Sequence, residues 1–145
     1  MMLETVVEAS GVVMRFGGVT AVNGVSMKLR RNELRCLIGP NGAGKSTFFK
    51  CLSGQLTPTE GDIALNGQPT VGRAVHEIAR LGVAVKTQVP SLMNGLTVHE
   101  NLWLAARSVS TRTRAEVLGK VGALIDQLGL GPHAWHTADS LAHGQ

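Results

Sequence analysis

The chain has 145 residues, 14 Lys+Arg against 10 Asp+Glu for a net charge of +4, 43% hydrophobic residues and a mean hydropathy of +0.12. That composition excludes a disordered tail, and the length is that of one ordinary domain able to bury a core unaided. The 2 cysteines, Cys36 and Cys51, lie in apolar runs, which excludes a disulfide framework and predicts small core residues in a reducing compartment.

The start, Met1 to Glu8, has no basic region, and no run approaches the roughly 18 apolar residues of a membrane span. The sequence therefore predicts neither a signal peptide nor a transmembrane helix. Glycine reaches 18 of 145 residues, about 12% against a usual ~7%, without a period, which points to turns and ligand loops rather than a fibre. Basic residues are spread along the chain and only Arg30, Arg31 and Arg35 cluster, so nucleic acid is not an expected partner. His133 and His136 have no cysteine or carboxylate cluster to complete a metal site.

In chain order, short β-like runs at Thr5-Val6-Val7, Val12-Val13-Met14 and Val25 to Leu29, broken by Gly11, Gly17-Gly18 and Asn23-Gly24, predict antiparallel strands. Leu34-Arg35-Cys36-Leu37-Ile38 reads as a strand that runs into a glycine loop, followed by a helix to about Ser53 with Gly54 past its end. A strand is predicted at Ile63-Ala64-Leu65, a short helix around Ala74–Leu81, and a buried strand at Val83-Ala84-Val85. Downstream, Thr97-Val98-His99-Glu100 and Thr113-Arg114-Ala115-Glu116 are capping boxes that start helices. In the second helix Val117, Leu118, Val121, Leu124, Ile125 and Leu128 share one face, and Gly129 stops it. Residues 1–87 thus read as mixed β and α/β, and 88–145 as largely helical.

The glycine loop carries the chemistry. Gly39-x-x-x-x-Gly44-Lys45-Ser46 matches the nucleotide phosphate-loop pattern, which this composition would produce by chance about once in a hundred such chains. The apolar run before it and the helix after it are the context the pattern needs. Glycines let the backbone curl so that successive N–H groups, aimed by a helix N-terminus, surround a polyanion. Lys45 supplies charge to the β- and γ-phosphates, and the Ser46 hydroxyl is placed to ligate Mg2+.

With three further landmarks the chain resembles the ATP-binding cassette (ABC) ATPases, specifically the ATP-hydrolysing subunits of bacterial uptake systems for branched-chain amino acids or urea. These are Arg15-Phe16-Gly17-Gly18-Val19-Thr20-Ala21-Val22; Gln88 followed by Leu96-Thr97-Val98-His99-Glu100-Asn101-Leu102; and Leu141-Ala142-His143-Gly144-Gln145. The resemblance implies an α/β phosphate-loop NTPase fold, incomplete here. Residues 1–87 would be its antiparallel β and nucleotide-binding part, and 88–145 the glutamine loop, helical subdomain and signature. It implies ATP and Mg2+ as cofactors, bound by Phe16 stacking on adenine, by Gly39, Pro40, Asn41, Gly42, Ala43, Gly44, Lys45, Ser46 and Thr47 around the phosphates, and by Ser46 and Gln88 at the metal. Gln88 would also contact the attacking water. Leu141, Ala142, His143, Gly144 and Gln145 would form the signature that meets nucleotide on a second subunit.

As implied partners come membrane permease subunits and a second ATP-binding subunit, identical or not, at the inner face of the bacterial plasma membrane without insertion into it. Two departures stand out. Ala142 replaces the serine usual in the signature, removing a hydroxyl from the clamp, and Thr87 stands where relatives place an aromatic. The family's acidic strand end with its catalytic Glu, and its switch His, have no counterpart in the 145 residues, so this chain alone is expected to bind nucleotide without hydrolysing it. Two other readings stay open: a nucleotide-binding module without turnover, and a soluble ABC ATPase unconnected with transport.

Overall fold

The computed structural model describes residues 4–86, 91–108 and 113–141. The chain divides into two compact units, Met1–Val85 and Lys86–Gln145.

In the first unit β1 (Thr5–Phe16) and β2 (Val19–Arg30) form one long antiparallel hairpin, turned at Gly17-Gly18. β3 (Glu60–Leu65) pairs antiparallel with the other edge of β1, and the two-residue β4 (Gln68–Pro69) closes the sheet in the order β2-β1-β3-β4. Gly11 and Gly24, predicted as breaks, instead lie inside continuous strands. The ladder absorbs Gly11 at a register shift between Ala9 and Val12, where its N–H donates to Ser26 Oγ at 2.8 Å.

One sheet face packs on α1 (Lys45–Leu52), which buries Phe48 and Cys51 against Ala9, Val12, Met14, Val22 and Ile63. Helix α1 ends where predicted, with Ser53 at its cap and Gly54 at φ 73°. α2 (Val75–Arg80) buries Ile78, and the Glu77 carboxylate accepts from the Ala74 N–H at 2.8 Å.

Two expectations fail in this unit. Neither 34–38 nor 83–85 forms a strand: both are irregular and without a ladder partner among the described residues, and Leu34 is 92% and Ile38 89% exposed. An apolar run forms a strand only where another strand supplies the hydrogen bonds, and none among the described residues does so here. Cys36, placed in the core by its apolar neighbours, is consequently exposed, whereas Cys51 is buried and its thiol pKa is raised by that burial.

The second unit holds α3 (Val98–Ser108) and α4 (Arg114–Gln127), followed by 3-10 turns at Gly131–His133 and Ala138–Ser140. Both capping boxes form: Thr97 and Thr113 each accept from the amide three residues on, and Glu100 and Glu116 reach back to the Thr97 and Thr113 N–H groups at 2.8 Å. Val117, Val121, Ile125 and Ala134 make the core, with Leu102 and Trp103 packed on it. Leu118, Leu124 and Leu128, assigned to the same apolar face, are exposed because only the Val117–Val121–Ile125 stripe meets a neighbouring element. Gly129 ends the helix at φ 68°.

Candidate functional site

The glycine loop of residues 39–44 leads directly into α1. Gly42 and Gly44 hold φ values of 83° and 82°, in the left-handed region that side chains rarely adopt, and this is what lets the loop reverse over four residues. Gly44 is doubly constrained: a Cβ there would lie 2.0 Å from the Ala21 carbonyl oxygen. Ala21 is an extra residue on β2, between the Met14↔Val22 and Arg15↔Thr20 pairs, so a bulge in the hairpin seats the base of the loop.

Helix α1 has no side-chain cap, and the amides of Lys45, Ser46 and Thr47 donate no hydrogen bond among the described residues. Uncapped amides and the positive end of the helix dipole make this terminus an anion site. No acidic residue occupies the first turn of α1. Lys45 adds its charge inside the loop, its ammonium donating to the Gly39 carbonyl at 2.7 Å and the Pro40 carbonyl at 2.6 Å. No carboxylate among the described residues forms an ion pair with it, so its charge is available to a ligand. Ser46 on the first turn and Asn41, Gly42 and Ala43 in the loop are exposed. The donor set fits a polyphosphate, and a hydroxyl beside it fits a hard cation.

Phe16 ends β1 at the hairpin tip, 46% exposed, and the partner strand β2 meets the loop through the Ala21–Gly44 contact. Phe16 and residues 39–47 therefore belong to one unit. Leu141 is half-buried in the other, whereas Gln88 and residues 142–145, the glutamine-loop and signature assignments, lie outside the described residues.

Some features are absent from the sequence reading. Lys45 is satisfied by the loop's own carbonyls, and the Ala21 bulge seats Gly44. Asn101 brackets the segment leading to α3: its amide donates to the Met93, Leu96 and Thr97 carbonyls at 3.0–3.2 Å and its oxygen accepts from Met93 N–H at 2.9 Å. An Asn one residue after a capping-box Glu is the only sequence trace of that bracket.

A family model described as ABC transporter matches residues 22–145. The high-affinity branched-chain amino acid transport ATP-binding protein LivG of Escherichia coli is 38% identical, and BraF of Pseudomonas aeruginosa 37%. Each alignment covers 99% of this chain and 62% of the relative, so the chain spans about three fifths of their length. A solved structure described as the ATP binding subunit of an ABC transporter superposes with a TM-score of 0.83 at 27% identity, covering 96% of this chain and 57% of that one. The glycine loop built on α1 lies within the matched residues, and on these grounds the chain belongs to the ABC transporter family.

Proposed function

We propose that this chain is the nucleotide-binding part of an ATP-driven importer subunit that energises uptake of branched-chain amino acids or urea-like solutes. The observation that carries it is the loop itself: three first-turn amides without acceptors, two left-handed glycines and an unpaired lysine charge converge on one anion site. The 38% identity to LivG over nearly the whole chain supports amino acid import as the work done with the nucleotide.

In this reading MgATP binds with its adenine on Phe16 and its phosphates on residues 39–47. Lys45 exchanges the Gly39 and Pro40 carbonyls for phosphate oxygens, a trade of neutral for charged acceptors that strengthens each hydrogen bond. Ser46 Oγ and Gln88 would hold Mg2+, with Gln88 also contacting the attacking water. When bound, the ion would neutralise phosphate charge. The signature Leu141, Ala142, His143, Gly144 and Gln145 closes on the nucleotide of a second ATP-binding subunit. Ala142 contributes no hydroxyl there, which weakens the clamp by about 0.5–1.5 kcal/mol. The subunit works at the cytoplasmic face against membrane permease subunits; among the described residues no helix is long and apolar enough to cross a membrane.

The test is uptake by vesicles that hold the permease with this protein in a form of the relatives' length. ATP-dependent accumulation of leucine or urea, lost in Lys45→Ala, is the expected result. Hydrolysis unaffected by the permease, with no uptake of either solute, would overturn the importer reading.

A further inference from the structure

The β1–β3 ladder ends at Val13↔Glu60, three residues short of Phe16. Beyond that pair the hairpin tip is supported by β2 alone, through Arg15↔Thr20 and Phe16↔Val19. A two-stranded tip of this kind is marginal by itself. Three contacts take over where the ladder stops. The Thr59 N–H donates to the Val13 carbonyl at 2.8 Å, the Arg15 N–H donates to Thr59 Oγ1 at 3.0 Å, and the Arg15 guanidinium donates to the Glu60 carboxylate.

The Thr59 hydroxyl thus replaces the missing ladder acceptor, and the ion pair holds the Arg15 side chain on the face opposite that of Phe16. On the other strand the tip is tied to the loop by the Ala21 bulge against Gly44. The position of Phe16 relative to the glycine loop is therefore set from both strands of the hairpin.

We propose that Thr59 and Glu60 are positioning residues for the base-stacking aromatic: they fix where Phe16 presents its ring and so set affinity for the nucleoside end of the ligand, not for its phosphates. The proposal rests on the reading of Phe16 as the adenine platform. Its signature is a selective effect. Loosening the tip weakens binding of MgATP and leaves inorganic triphosphate, which meets only the loop, unchanged. A residue that merely stabilised the fold would weaken both ligands together.

The experiment is calorimetric titration of the full chain and of Thr59→Val, Thr59→Ser, Glu60→Ala and Phe16→Ala with MgATP and with magnesium triphosphate. Thr59→Val and Glu60→Ala are expected to raise the Kd for MgATP about three- to tenfold. Triphosphate affinity should stay within about twofold, and Thr59→Ser, which keeps the acceptor oxygen, should bind as the parent does. Equal loss for both ligands, or no loss for either, overturns the latch. Phe16→Ala separates the two layers of the argument. A selective loss in Phe16→Ala with Thr59→Val silent overturns the latch alone, and an unselective Phe16→Ala overturns the stacking reading and the latch with it.

Discussion

Gly44 is the residue with the least freedom in the site. Its φ of 82° disfavours any side chain, and its closeness to the Ala21 carbonyl leaves no room for one. Because the obstacle is backbone rather than a flexible side chain, Gly44→Ala must displace either the loop or the bulge. We expect Gly44→Ala to destabilise the first unit by about 1–3 kcal/mol, read as a fall in the urea midpoint, and to abolish nucleotide binding. Gly42→Ala supplies the contrast, since a Cβ there meets nothing within 4 Å and only the left-handed conformation opposes it. Its stability cost should be the smaller of the two; equal costs would mean that the Ala21 seat is irrelevant. The sequence placed Gly44 in a phosphate-loop pattern, but did not indicate that Ala21 constrains it, because nothing in Phe16-Gly17-Gly18-Val19-Thr20-Ala21 marks which residue will bulge.

Among elements, the helix starts were the most legible. A capping box is local chemistry, with Thr and Glu three residues apart satisfying each other's exposed groups, so Thr97–Glu100 and Thr113–Glu116 could be read without tertiary information. The hydrogen bond from the Thr97 N–H, followed by that from its hydroxyl, holds the Glu100 carboxyl below its ordinary pKa. A lowered folded pKa means stability that is fully present above the unfolded value, about 4.3, and lost as pH falls through the folded one. Acid unfolding of the second unit should therefore steepen below about pH 4.3, and Glu100→Gln should flatten that part of the profile. A Glu100→Gln profile parallel to the parent's would contradict the linkage. Strands were less legible for a physical reason: 5–16 and 19–30 pair with each other across a two-glycine turn, whereas the apolar runs at 34–38 and 83–85 have no ladder partner among the described residues. Periodicity reports which face a segment would bury, not whether a neighbour exists to complete the ladder.

At the scale of the molecule, those same segments create a liability. Leu34, Cys36, Leu37, Phe49, Val83 and Val85 line an open apolar cavity of about 460 Å³ in the first unit, flanked by segments whose backbone joins no sheet among the described residues. Such an edge recruits another strand, so the isolated chain should self-associate, with concentration-dependent species in sedimentation velocity. Ile38→Lys, placing a charge on that edge where the side chain is 89% exposed, should reduce the association without loss of fold. A single monomeric species at all concentrations would contradict this account of the edge. The sequence assigned site residues to both halves; among the described residues Phe16 and the glycine loop fall in one unit.

The central claim is that the loop binds the phosphates of a nucleotide through its amides and Lys45. Calorimetric titration of MgATP into this chain and into Lys45→Ala, with phosphate release followed on the same samples, tests it most directly. The account predicts a Kd raised about 10- to 100-fold in Lys45→Ala, as for a lost charge-assisted hydrogen bond, and no phosphate release by either chain. Equal affinity in both chains would contradict it.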